Sequence, residues 1–149
     1  MKFAPVIYLI GMLLCILSLF MLVPAIVDWF YGSNDWPAFI ASSLVTVFFG
    51  GAFYLSGRGS ATEHLELRQA FLLTNSAWLS IALFGSLPFL FSEINMSFVD
   101  AIFESTSGIT TTGSTVIVNL EQTSHGILIW RALLQWLGGV GIIVMALAI

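Results

Sequence analysis

Hydrophobic runs frame the chain. Val6 to Val27 is apolar apart from one serine, and about 20 such residues are enough to cross a hydrocarbon core of roughly 30 Å as a helix. A second run, Ala38 to Leu55, stops at Ser56-Gly57-Arg58-Gly59-Ser60, where two glycines and a charge end the helix. A third extends from about Ala70 to Phe91, with Pro88 near its far end, where a kink is tolerated in a membrane helix. A fourth begins at His125 and reaches Ile149. Between the first two runs, Asp28 to Pro37 reads as a short polar turn carrying Trp29, Tyr31 and Trp36, rings suited to a membrane interface. The segment with Glu63, His64, Glu66 and Arg68 reads as a solvated connector, long enough between Glu63 and Gln69 for a turn or two of interfacial helix. A cleaved signal peptide fits the first run poorly: only Lys2 precedes it, and no small-x-small site follows.

Asn95 to Gly108 breaks the pattern. Ser97 and Asp100 have capping-box spacing, and the amphipathic stretch after them predicts a helix over 98–108. At 1.5 Å per residue that is roughly 16 Å, half the bilayer. Thr110-Thr111-Thr112-Gly113-Ser114-Thr115 follows, β-branched and glycine-punctuated, and makes no comfortable helix. A span, a half helix, a Thr/Gly segment and another span describe a re-entrant hairpin. Non-helical backbone at membrane depth is allowed only where protein buries it or it lines a watery cavity, and an ion pathway meets that condition. The expected fold class is therefore all-α integral membrane: a two-helix hairpin over 1–57, a cytoplasmic connector over 58–69, and one span, pore helix, filter loop and span over 70–149, with the filter at 110–115.

Composition agrees. The 149 residues are 58% hydrophobic and only 8% charged, too apolar to cover a soluble fold of this size. A net charge of −4 with four basic residues excludes nucleic acid as a partner and leaves membrane lipid. Cys15, the sole cysteine, offers no disulfide framework and no metal set. Lys2, Arg58 and Arg68 fall on one side of the alternating spans, which by the positive-inside rule puts the N-terminus in the cytoplasm. Asp28, Asp35, Glu93, Asp100 and Glu121 then give the outer mouth an acidic bias, unless they are ordinary loop carboxylates.

A hard monovalent cation shedding water needs oxygen ligands without a full carboxylate charge, and backbone carbonyls supply them. Thr111, Thr112, Gly113 and Ser114 are the candidate carbonyl donors, so the ion-binding site is a potassium filter of main-chain oxygens with no catalytic residue. The competing reading is a threonine-rich external loop on a small membrane assembly or scaffold protein. An enzyme is disfavoured, since no intramembrane His, Asp or Ser group has nucleophile-and-base spacing. Arg131 needs a partner, Glu104 or Glu121, or else snorkels to the outer interface. Gly138, Gly139 and Gly141 remove bulk for packing against the pore helix. His64 and His125 read as surface histidines.

Phe103 to Thr115, with Trp130-Arg131-Ala132-Leu133-Leu134-Gln135-Trp136-Leu137-Gly138-Gly139-Val140-Gly141-Ile142, resembles the first pore repeat of the Trk/Ktr family of potassium-uptake proteins, and Gly113 falls on the filter glycine. The two spans before Arg58 resemble the extra N-terminal hairpin of the TrkH-type branch. The resemblance implies K+ as cargo with no cofactor, a symport-type Trk system in a bacterial inner membrane, and four such repeats around one pore. It further implies a homodimer of pore subunits and a TrkA-like cytoplasmic nucleotide-binding regulatory subunit. The chain holds one repeat and stops at Ile149 without a polar terminator, so the sequence reads as the first part of something longer, inert as an isolated monomer. Four crossings plus one re-entrant segment put Ser60 in the cytoplasm. Cysteine-accessibility labelling in intact cells should therefore leave a cysteine at position 60 unmodified by an impermeant reagent, and modification from outside would overturn the orientation.

Overall fold

The computed structural model describes residues 3–60 and 66–148, which among themselves are helical with no strand. Lys2, Glu63 and His64, on which the orientation and connector expectations drew, lie outside the described residues. The α-helices in chain order are α1 (Ala4–Phe20), α2 (Leu22–Phe30), α3 (Trp36–Gly57), α4 (Leu67–Gly85), α5 (Leu87–Phe91), α6 (Phe98–Ile109) and α7 (His125–Ala148). Four stretches are long and apolar enough to cross a membrane: α1 with α2, α3, α4 with α5, and α7. The α4 helix begins at Leu67, so the last part of the expected connector is the first turn of a span, where Gln69 Oε1 accepts the Glu66 N–H at 2.9 Å.

Two of the spans are interrupted, each shortly before a proline. Met21 separates α1 from α2 ahead of Pro24, and Ser86 separates α4 from α5 ahead of Pro88. Proline has no N–H for the carbonyl four residues back. Beside the second break Trp130 Nε1 of α7 donates to Gly85 O at 2.9 Å, tying that turn to the last span. The break near Pro88 was foreseeable as a kink. The one at Met21 interrupts what reads in the sequence as a continuous span.

Lipid tails are as apolar as leucine, so helices in a membrane hold together through close approach rather than a hydrophobic drive. The α1–α3 hairpin uses small residues for this. A Cβ on Gly57 would stand 2.6 Å from Ala4 O, one on Gly50 3.0 Å from Cys15 N, and Ser43 Oγ donates to Ser18 O at 2.8 Å. The hairpin leans on the rest through α1 against α4 and α2 against α7. The short α6 is packed by α4, α5 and α7, with Ala101, Ile127, Trp130 and Leu134 buried around it.

Glycines also set how near α6 comes. A Cβ on Gly85 would lie 2.7 Å from Ser105 Oγ and one on Gly108 2.9 Å from Leu134 Cβ, while at Gly138 it would overlap the Ile109 carbonyl. The packing role expected of the α7 glycines thus belongs to Gly138. Gly139 and Gly141 face open space. Gly138→Ala should destabilise the protein by about 1–3 kcal/mol, as overpacking of a close contact does, and Gly139→Ala should be near neutral; thermal unfolding of the two variants in detergent compares them.

Candidate ion-filter site

The α6 helix starts at a half-formed capping box. Ser97 Oγ accepts the Asp100 N–H at 3.1 Å, but the Asp100 carboxylate takes the Ser97 hydroxyl at 2.7 Å instead of reaching back to the Ser97 N–H. The helix runs twelve residues to Ile109, about 18 Å. Its far end rests on Gly138, thirteen residues along α7 from His125 and hence about 20 Å from that helix's start. A Cβ at Gly113 would be 3.5 Å from Gln135 Nε2, ten residues or about 15 Å along the same helix. The Thr/Gly segment therefore sits well down the length of a spanning helix, not beyond its end.

How the loop leaves α6 determines which of its groups remain open. Thr111 N donates to Gly108 O at 2.9 Å, and Thr112 N and Gly113 N both turn to Ser107 O, at 3.0 and 3.4 Å. Two left-handed residues make this possible: Thr111 at φ +59° and Gly113 at φ +79°. Alternating handedness gathers successive N–H groups on one side, around the carbonyls at the helix C-terminus. Among the described residues nothing donates to the carbonyls of Thr111, Thr112 or Gly113. Ser114 differs, since its carbonyl accepts Ser107 Oγ at 2.6 Å, leaving one lone pair. Residues 110–116 are all exposed, whereas Glu104, Ser105, Ser107, Gly108 and Ile109 behind them are buried.

Glycine takes φ +79° freely, but a β-branched residue at φ +59° is strained by about 1–3 kcal/mol. Composition gives no sign of which threonine in the run carries that strain, so the sequence reading passed over this property of Thr111. Glu104 was offered as a partner for Arg131, but its hold on the loop's outgoing end was not foreseen. It is 1% exposed, with Oε1 accepting Thr115 Oγ1 at 2.5 Å and Val116 N at 2.6 Å, and Oε2 accepting Arg131 Nε at 3.0 Å. Of the two carboxylates open to Arg131, the structure selects Glu104; snorkelling is not what Arg131 does.

The acidic outer mouth is smaller than its sequence count. Asp28 is no loop residue: it is fully buried at the end of α2 and its Oδ1 accepts Gly126 N at 2.7 Å, holding the N-terminus of α7, where the helix dipole favours an anion. Asp35, 6% exposed, accepts Glu93 N at 2.8 Å, and Asp100 serves the α6 cap. Glu93 and Glu121 remain exposed. His125 lies at the surface as expected, stacked on Tyr31 with ring centroids 4.1 Å apart.

Comparison with known proteins fits this geometry. The family model for TrkH, a cation transport protein, matches residues 35–149. The Trk system potassium uptake protein TrkH of Vibrio parahaemolyticus is 41% identical over all of this chain and 31% of its own length, and that of Halomonas elongata is 39% identical over the same shares. An uncharacterized cation transporter of Methanocaldococcus jannaschii is 36% identical over 95% of this chain and 29% of its own. The crystal structure of the potassium transporter TrkH from Vibrio parahaemolyticus superposes with a TM-score of 0.94 at 40% identity, covering 99% of this chain and 32% of that one. The chain thus spans about a third of the length of these relatives.

Space around Gly113 is open, so a substitution there is opposed by φ and not by a clash. Gly113→Ala should therefore fold, with a loss of roughly 1–2 kcal/mol from the left-handed backbone. Thermal unfolding of the variant measures it, and a loss near zero would mean that the loop does not hold this conformation.

Proposed function

The chain belongs to the TrkH family of cation transport proteins, and on that footing we propose that it is part of a potassium-uptake pore to which it contributes one quarter of a carbonyl filter. The ligands are the main-chain oxygens of Thr111, Thr112, Gly113 and Ser114. One observation carries the reading: the amides of residues 111–113 are bonded back to the end of α6 while their carbonyls are left without a donor. Unbonded carbonyls at membrane depth cost several kcal/mol each unless something polar meets them. A cation losing its water supplies that partner, and the C-terminal end of α6 adds the negative pole of its dipole.

The chain's own residues therefore bind and orient; they do no covalent chemistry. K+ is the cargo, and its passage follows the electrochemical gradient. Carbonyl oxygens from one loop surround only one side of an ion, so the remaining ligands come from equivalent loops. Only 17% and 22% of the most apolar windows of the third and fourth spans are buried, which leaves apolar faces for lipid and for neighbouring helices. Assembly of the pore subunit as a homodimer, with a cytoplasmic TrkA-like nucleotide-binding regulatory subunit, belongs to the same proposal.

The external-loop alternative fits the geometry less well, because a scaffold's surface loop has no reason to be anchored ten to thirteen residues along a spanning helix. Gly113→Asp in the full-length gene product, expressed in cells lacking other potassium uptake, should abolish rubidium uptake or admit sodium. The φ of +79° is less favourable for a side chain than for glycine, and a carboxylate beside the ion path holds a cation too strongly to release it. Wild-type uptake with wild-type exclusion of sodium would remove Gly113 from the filter.

A further inference from the structure

A carbonyl filter explains residues 111–114 but not why a buried carboxylate paired with a half-buried guanidinium lies behind it. Burying an ion pair is poor stabilisation, since two well-packed apolar residues hold helices together as well or better. The Glu104 side chain has no exposed surface and that of Arg131 has 15%. What the carboxylate does that an apolar residue cannot is accept hydrogen bonds, and one oxygen takes both Thr115 Oγ1 and Val116 N, the two donors that follow the last filter residue. Thr115 Oγ1 in turn accepts Ile117 N at 3.0 Å. The second oxygen is fixed by Arg131 from α7. Pore helix, outgoing limb and following span therefore meet at a single side chain.

We propose that Glu104 and Arg131 are a positioning pair for ion selectivity: Arg131 holds the Glu104 carboxylate in its orientation, and Glu104 fixes the outgoing limb at Thr115 and Val116. The proposal rests on the filter reading above. Without Glu104 the limb is secured at Ser114, through Ser107, and next at Ile117, which is packed in the core and whose N–H donates to Thr115 Oγ1. Charge-assisted bonds are shorter and about twice as strong as neutral ones, so this clasp is the firmest on the limb. Neutralising Arg131 leaves a buried carboxylate without its counter-charge. The carboxylate then turns away, and the limb is released.

The test compares rubidium and sodium uptake by the full-length gene product carrying Glu104→Gln, Arg131→Gln, Arg131→Lys or Thr115→Val. The flux ratio is the readout, because it does not depend on how much protein folds. Glu104→Gln and Arg131→Gln should each reduce selectivity for rubidium by about tenfold, the scale on which removing a group that orients a ligand acts, and Arg131→Lys should recover part of it. Wild-type ratios in both neutralised variants would overturn the pair. If neither reaches the membrane, Thr115→Val decides: it keeps shape at an exposed position, removes one of the two anchors, and should lower the ratio, so an unchanged ratio sinks the proposal. Gly113→Asp run in parallel separates the failures, since wild-type flux and ratio there would sink the filter reading itself.

Discussion

The carbonyl of Ile109 lies against α7 where Gly138 has no side chain. That contact ends a half-length helix about 20 Å along a spanning one and obliges the chain to leave it as irregular backbone at membrane depth. In lipid such backbone must find partners inside the protein. The loop responds asymmetrically: its amides fold back onto Ser107 and Gly108, which are themselves free to accept because a helix leaves its last carbonyls unbonded. With the donors on the inside, the acceptors are on the outside. The open acceptors of this loop follow from where α6 stops.

Carboxylates complete the arrangement, and they do so by serving amides. Asp28 holds the start of α7, Asp35 holds Glu93, and Glu104 holds Val116 together with the Thr115 hydroxyl. The first two anchor junctions between elements distant in sequence, and the third closes the loop onto its own helix. Asp28 ties the first hairpin to the last span, so the N-terminal helices brace the helix against which the Thr/Gly loop rests. The hairpin is thereby mechanically joined to the repeat even though it contributes nothing to the loop.

Much of this was legible from hydrophobic runs and turn residues. Span existence, the cap at Ser97 and the short α6 follow from length and periodicity, quantities that a sequence states directly. Gly113 stood out because glycine marks a backbone that other residues refuse, and its φ of +79° fits that reason. Thr111 did not, since its left-handed conformation is imposed by bonds to the end of α6 and runs against its own preference. Met21 was hidden because Pro24 lies inside an otherwise unbroken apolar run. Asp28 was mistaken for a loop residue because its partner is the amide of Gly126, nearly a hundred positions away, and backbone partners leave no mark on a sequence.

The central claim is that the open carbonyls of Thr111, Thr112 and Gly113 meet a partly dehydrated monovalent cation. Crystals of the full-length gene product grown in rubidium or thallium, with anomalous scattering used to locate the ion, test it most directly. The account predicts an anomalous peak within direct coordination distance of these oxygens, absent from crystals grown in lithium. Well-ordered density for residues 110–116 with no cation against them, or a water shell donating to those carbonyls in its place, would contradict it.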